Sequence, residues 1–114
     1  MAEHHATLDA FWLHFVRSHT RPATQWMHTV GVLAWCGGIA ATLVLGSPWP
    51  LVLGSAAFAG LALAAHPLFE GNVPENTGQP LLGIVGNFRM AWCTLRGTMA
   101  AEVARARAGA PGRR

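Results

Sequence analysis

The chain has 114 residues, enough for one domain, and only 11% of them are charged whereas 52% are hydrophobic. A soluble domain usually carries about 25% charged residues, so this composition argues against a surface covered by water alone and indicates contact with lipid. The positive charges are all Arg and are not gathered on one base-reading helix, which argues against nucleic-acid binding.

An amphipathic helix is predicted at the start of the chain, over residues 8–17. Its apolar residues recur at helical spacing and form one stripe: Leu8, Phe11, Trp12, Phe15 and Val16. Asp9 and Arg17 lie off that stripe. A short helix of this kind, placed ahead of a hydrophobic run, is typical of the membrane interface.

Two uncharged runs follow and predict a transmembrane hairpin over residues 28–46 and 50–66. The segment 29–46 alone would make about 27 Å of helix, close to the thickness of a bilayer core. The sequence "SPWP" separates the runs. Small residues four apart in the second run would let the two helices approach closely: Ser55/Ala59, Ala56/Gly60 and Gly60/Ala64. The alternative is a soluble hairpin with a very apolar core, which lacks a polar face to meet water.

The distribution of charge predicts the orientation of this hairpin. The connecting loop is uncharged and Arg residues lie on both outer flanks, so the positive-inside rule places both ends in the cytoplasm. The expected location is therefore a multi-pass protein of the inner or plasma membrane, if the cell is bacterial. In that geometry His28 and His66 meet at one membrane surface, and His19 and Glu70 lie just outside the same two helix ends.

The rest of the chain is predicted to hold a polar loop over residues 67–79, an amphipathic helix over 80–106 and a basic tail over 107–114. Large apolar residues alternate four and three apart in the helix, which is typical of a packed seam: Leu81, Val85, Phe88, Trp92 and Leu95. Cys36 and Cys93 have apolar neighbours and are interpreted as buried side chains. Residues 1–114 are thus expected to form a single all-α membrane domain.

Convergence of histidines on one membrane surface predicts a metal site. The nitrogen-rich shell that suits iron or zinc would come from four residues: His19, His28, His66 and Glu70. Asn72 and Asn76 would lie around that shell. Two other interpretations stay open, a haem held by His28 and His66, and a loop in which the same groups only hydrogen-bond.

The segments "FWLHFVRSHTRPATQWMHTVG" and "AHPLFEGNVPENTGQPLLGIVGNFRMAW", with the hydrophobic hairpin between them, resemble a known family. It is the Mpo-type family of small membrane proteins related to 2-hydroxy fatty acid dioxygenase, long listed as a domain of unknown function. The resemblance covers about residues 8–96. Its distinctive parts are the His-x8-His spacing of His19 and His28, and the His-x3-Glu-x-Asn-x-Pro run from His66 to Pro74.

The resemblance implies an iron(II)-dependent dioxygenase that uses O2 to shorten a 2-hydroxy fatty acid by one carbon. It implies Fe2+ bound by His19, His28 and His66. Glu70 and Asn72 are assigned to catalysis. A 2-hydroxy acid can chelate a metal through its hydroxyl and carboxylate oxygens, and Arg89 is a candidate partner for the substrate carboxylate.

Two positions depart from the family pattern. Gln79 stands before Pro80 where members often have His, and Asn87 stands where members often have Asp. These departures keep a second interpretation open, a non-catalytic membrane scaffold whose His and Glu side chains are structural. Both interpretations, the dioxygenase and the scaffold, are compatible with a homo-oligomer.

Overall fold

The computed structural model describes residues 7–72 and 80–109, and within these ranges the chain is helical and contains no strand. The all-α class is therefore confirmed. The α-helices, in chain order, are α1 (Leu8–Arg17), α2 (Pro22–Leu45), α3 (Trp49–Ala65), α4 (Pro80–Arg96) and α5 (Met99–Ala108). A π-helical turn, His66–Glu70, follows directly after α3.

Helix α1 has the predicted boundaries and buries the predicted stripe. Its first turn is capped by Thr7, whose side-chain oxygen accepts a hydrogen bond from the backbone N–H of Ala10 at 3.0 Å. The polar side faces outward, and four stripe residues face the protein: Phe11, Trp12, Phe15 and Val16. Leu8, at the helix start, is exposed. The apolar face thus packs against protein rather than against lipid along most of its length.

Helices α2 and α3 form the expected hairpin. Helix α2 begins at Pro22, six residues earlier than predicted, because proline fits the first turn of a helix, where its missing N–H costs nothing. It ends at Gly46, which adopts a left-handed conformation with φ of 68°.

Both hairpin helices are candidate membrane spans. Pro22–Leu45 and Trp49–Glu70 are long and apolar enough to cross a bilayer, and only 28% and 17% of their most apolar windows are buried in the protein. The core helices of a soluble protein would be mostly buried. This exposure favours lipid as the environment of the hairpin.

Glycine backbones make the contact between α2 and α3. A Cβ atom on Gly54 would lie 2.6 Å from the carbonyl oxygen of Ala34, and one on Gly38 would collide with the carbonyl of Pro50. Gly31 is nearly as tight, since its Cβ would lie 3.2 Å from the Cα of Phe58.

The small residues expected to make this contact lie partly elsewhere. A Cβ on Gly60 would meet nothing within 4 Å, and both Ala56 and Ala59 are exposed. Four-residue spacing identifies faces that allow close approach, but α3 has more than one such face. The partner helix uses the face that contains Gly54.

The predicted helix 80–106 is two helices. Gly97 adopts a φ of 78°, accessible to few other residues, and ends α4 before α5 begins at Met99. Arg107 and Ala108, assigned to the tail, belong to α5. The boundary of the polar loop also shifts, because residues 66–70 form the π-helical turn, and residues 73–79 lie outside the described residues.

Helices α1, α4 and α5 form a second packing unit, here called the cap. Its core consists of large side chains, and Met90, Cys93, Met99 and Val103 pack against the stripe of α1. Cys93 is thus buried as predicted, whereas Cys36 is exposed on the hairpin. The five residues of the expected α4 seam are not in this core. They are exposed, because α4 packs on α1 and α2 mainly through other faces, and only Phe88 borders α2, beside Trp35.

A polar network surrounds the cap core. The indole N–H of Trp12 donates to Glu102 at 2.7 Å, and Arg105 pairs with both Glu102 and Asp9 at 3.2 Å. The guanidinium of Arg89 lies 4.4 Å from the centre of the Trp12 ring. These contacts fix α1 against the two C-terminal helices.

Candidate metal centre

The structure brings His19, His28 and His66 together at one end of the hairpin. His19 lies in the turn after α1, His28 in the second turn of α2, and His66 directly after α3. All three side chains are buried, and each offers a ligand atom within 4.8 Å of the others. One ion can therefore be shared by three imidazoles, although they are far apart in sequence.

Each imidazole is oriented by a hydrogen bond at Nδ1. The Nδ1 of His19 lies 2.6 Å from the carbonyl oxygen of Phe15, and that of His28 lies 2.9 Å from the carbonyl oxygen of Thr24. The Nδ1 of His66 lies 2.7 Å from Oδ1 of Asn72. A carbonyl oxygen only accepts, so each Nδ1 carries the proton. The lone pair of each neutral ring is then on Nε2.

This pattern is the one that metal-binding histidines usually show. A ligating imidazole normally donates its other N–H to a carbonyl or carboxylate, which fixes the tautomer and the ring orientation. Three neutral imidazoles form a donor set that suits iron, zinc, copper or nickel. The residues present therefore fit a transition-metal ion.

The π-helical turn explains how Asn72 reaches His66. The N–H groups of Gly71 and Asn72 both donate to the carbonyl of His66, at 2.9 and 3.2 Å, and Gly71 adopts a φ of 72°. The chain thus folds back over the ring of His66 immediately after α3. Asn72 was assigned to catalysis from the sequence. In the structure its Oδ1 atom contacts Nδ1 of His66.

Glu70 holds the segment that follows His19. One carboxylate oxygen accepts from the hydroxyl of Thr20 at 3.0 Å, and the other accepts from the backbone N–H of Arg21 at 2.7 Å. These bonds tie the π-helical turn to the α1–α2 turn. Glu70 is therefore linked to His19 through Thr20 and Arg21, the residues that follow His19 in the chain. Both carboxylate oxygens of Glu70 already accept hydrogen bonds from the protein.

His19 is held by its surroundings as well as by its hydrogen bond. The ring of Phe15 stacks on the imidazole with centroids 4.1 Å apart, and the side-chain amide of Gln25 donates to the carbonyl of His19 at 2.9 Å. Burial lowers the pKa of His19 to about 3, and the neighbouring His28 acts in the same direction. The ring is neutral at physiological pH, as a metal ligand must be.

The other candidate residues are placed away from the three rings or outside the described chain. Arg89 points its guanidinium over Trp12 in the cap. Asn87 donates its side-chain amide to the carbonyl of Gly83, and its Oδ1 atom is buried with no partner among residues 7–72 and 80–109. Gln79 and Asn76 lie outside the described residues.

The geometry disfavours the haem interpretation. The ring centroids of His28 and His66 are 5.4 Å apart, and the ring of His19 lies 4.7 and 4.6 Å from them. The third imidazole occupies the space that a macrocycle between two axial ligands would need.

Sequence reasoning missed the two carbonyls that orient His19 and His28, whereas Asn72, which contacts His66, was expected around the metal shell. The carbonyls of Phe15 and Thr24 lie four residues before His19 and His28. This i, i−4 relation is available to any helical histidine, so it carries no signal by residue type. The residue type of Gln25 carries some signal, because a buried side-chain amide requires a hydrogen-bond partner. Its partner is the carbonyl of His19.

Comparison with known proteins identifies the family of this chain. The sequence model of the family described as 2-hydroxy-palmitic acid dioxygenase Mpo1-like matches residues 5–99, which include the three histidines, Glu70 and Asn72. No curated protein and no solved structure gives a significant match. Because the match covers most of the sequence, the chain belongs to the Mpo1-like family.

Proposed function

We propose that this protein is a membrane-bound, iron(II)-dependent dioxygenase that removes one carbon from 2-hydroxy long-chain fatty acids. The Nε2 atoms of His19, His28 and His66 would hold the Fe2+. The proposal joins the family match to the donor set.

One observation carries the proposal: three buried imidazoles each give their Nδ1 proton to an acceptor, and one ligand atom of each lies within 4.8 Å of those of the other two. A bound transition-metal ion would take the lone pairs of three neutral imidazoles that lie this close together.

Iron(II), when bound, would orient a 2-hydroxy acid through its two oxygens and activate O2. Three protein ligands would leave coordination positions for both molecules. The protein would contribute the orientation of the rings. Asn72 fixes the tautomer of His66, and Glu70 holds the turn that carries His19; we assign both to positioning the ligands.

The position of the site suits an amphiphilic substrate. The histidines lie at the open end of the hairpin, where we place the surface of the membrane, and we propose that this surface is cytoplasmic. A fatty acid could then present its head group to the site while its chain stays in lipid. Arg89 is free to leave Trp12 only by giving up a cation–π contact, so we assign it a smaller part in binding the carboxylate than the sequence implied.

The proposal is tested by metal analysis of protein purified in detergent and loaded anaerobically with Fe(II). We expect one iron per chain in the wild type and none in His66→Ala. The loaded wild type should convert 2-hydroxypalmitate, in the presence of O2, to a product one carbon shorter, as measured by mass spectrometry. His14→Ala is a matched control, because it removes a histidine of α1 that does not belong to the site.

The same experiment tests the scaffold interpretation, which one observation favours: both oxygens of Glu70 are engaged in protein hydrogen bonds. If the protein is a scaffold, neither the wild type nor His66→Ala should bind iron. The substitution should then change only the stability of the protein. Iron binding without turnover would keep the metal site and reject the reaction.

A further inference from the structure

One face of α4 is apolar and uncovered by the described residues. Five large side chains lie along it at spacings of four and three, and their exposed fractions range from 38% to 76%: Leu81, Val85, Phe88, Trp92 and Leu95. The other faces of α4 are occupied. Gly86 packs on the ring of Phe15, and Met90 and Cys93 belong to the cap core.

The contact of α4 with the hairpin gives the depth of this stripe. The ring of Phe88 lies 6.0 Å from the ring of Trp35. Trp35 follows His28 by seven residues along α2, which is about 10 Å of helix. It is also about 20 Å from the start of α2 and about 15 Å from its end. If α2 crosses the bilayer, the exposed ring of Phe88 is beside its middle third and faces hydrocarbon.

The charges of α4 agree with a position of its C-terminal end at the edge of the hydrocarbon. The helix has two Arg residues and no Asp or Glu. The guanidinium of Arg96, at its C-terminal end, lies 5.5 Å from the centre of the Trp92 ring, and Arg89 is drawn toward the cap. A paired Trp and Arg at a helix end is an arrangement that places the ring in the interface and the cation among phosphates.

We propose that α4 is embedded in the membrane beside α2, with this stripe in contact with the acyl chains of the leaflet that contains the histidine end of the hairpin. The stripe is continuous with the exposed apolar surface of α2 through Phe88 and Trp35.

This orientation has a consequence for the metal centre, which rests on the proposed function. Gly86 contacts Phe15, and Phe15 stacks on His19, so only one aromatic ring separates α4 from the site. The site would lie at the level where the head groups of membrane amphiphiles lie. A substrate would reach it from the bilayer rather than from water.

Spin labels test the position of the stripe without using activity or metal content. Val85→Cys and Leu95→Cys are each labelled in a Cys36→Ser, Cys93→Ala background and reconstituted in phosphatidylcholine–phosphatidylglycerol vesicles. Ala101→Cys, on the exposed side of α5, is the control. Collision with O2 reports lipid and collision with a soluble nickel chelate reports water. We expect nickel accessibility to fall about tenfold from the control to both stripe positions, because hydrocarbon excludes a polar complex.

Two outcomes would overturn the proposal. Nickel accessibility at Val85 and Leu95 equal to that at Ala101 would place the stripe in water. Dipolar broadening between labels, lost on dilution with unlabelled protein, would mean that a second copy covers it. Both labelled side chains are exposed, so the fold should survive labelling; gel filtration in detergent checks this. Loss of iron binding in a separate experiment would reject the proposed function and leave this result unchanged.

Discussion

The hairpin and the cap are packed in different ways within one chain. The hairpin brings two backbones together at Gly38 and Gly54, where a single methyl group would collide with a carbonyl of the opposite helix. The cap fills its core with Trp12 and other large side chains and surrounds it with ion pairs. Lipid gives helices no hydrophobic reason to associate, so close van der Waals contact must supply the attraction there, whereas water drives large apolar groups together in the cap.

The candidate metal centre lies where these two units meet, and one of its histidines comes from their junction. His28 and His66 belong to the hairpin, and His19 lies in the turn that joins α1 to α2. The site therefore requires both kinds of packing. A change deep in either unit should reach the histidines through backbone displacement, and a change to the orienting bonds should reach them directly.

The largest effect is expected from breaking the hairpin contact. Gly54→Val places a branched side chain where even a Cβ would lie 2.6 Å from the carbonyl oxygen of Ala34. The helices must separate, at a cost of about 3 kcal/mol in the free energy of unfolding. Thermal unfolding in detergent, followed by circular dichroism, measures this loss.

Gly60→Val is the matched control for that change. It adds the same side chain to the same helix at a position with no atom within 4 Å of a new Cβ. Its melting temperature should remain near that of the wild type. Equal destabilisation by both substitutions would contradict the assignment of the packing face and attribute the effect to loss of glycine itself.

The second effect concerns the bond that orients His66. Asn72→Ala removes the acceptor at Nδ1 and leaves the ligand in place, so metal affinity should fall about 10–100-fold. Asn72→Asp keeps an acceptor at the same position and should restore most of the affinity. Titration with Co(II), followed by its visible absorption, measures both. An alanine variant that binds as tightly as the aspartate variant would mean that the bond does not position the ring.

The convergence of the three histidines was predictable from the sequence. Two apolar runs joined by "SPWP" must reverse direction, and this alone brings His28 and His66 to one end, with His19 beside them. The buried stripe of α1 was predictable too, because the spacing of its apolar residues fits one face of an α-helix. Such features depend only on helix period and hairpin topology.

Other features depended on which partner a face meets. The spacing of Leu81 and Val85 shows that they share a face of α4, but the same spacing serves a protein core or a lipid surface, and the structure leaves this face exposed. Small-residue pairs around Gly60 were an equally valid contact surface until α2 was placed. The bond from His66 to Asn72 required a π-helical turn, which the sequence "HPLFEGN" does not specify by propensity alone.

A smaller effect is expected in the cap, from the acceptor of the Trp12 indole. Glu102→Ala leaves the buried N–H of Trp12 without its partner 2.7 Å away, which should cost about 1 kcal/mol of stability. Glu102→Gln keeps an oxygen acceptor and should recover most of that loss. Chemical denaturation of the purified protein in detergent compares the two. We expect iron binding to be retained in both variants, since Glu102 lies at the partly exposed rim of the cap and leaves the core ring of Phe15 beside His19 in place.

The smallest effect is the dependence of cap stability on pH. The indole N–H of Trp12 holds the pKa of the Glu102 carboxyl below its ordinary value, and Arg105 adds to this effect. The folded state therefore binds the Glu102 proton less readily than the unfolded state does. The resulting stability is present above the ordinary pKa of about 4.5 and is lost as pH falls through the folded-state pKa.

The difference in unfolding free energy between the wild type and Glu102→Gln isolates this contribution, because glutamine keeps the acceptor and has no charge. We expect a gap of a few tenths of a kcal/mol near neutral pH, since the side chain of Arg105 is 44% exposed and its ion pair with Glu102 is screened by solvent. The gap should close as the pH is lowered from 5 toward 3 in wild type and variant measured side by side. A gap that does not change with pH would show that the hydrogen bond to Trp12 stabilises the cap without any contribution from the charge of Glu102.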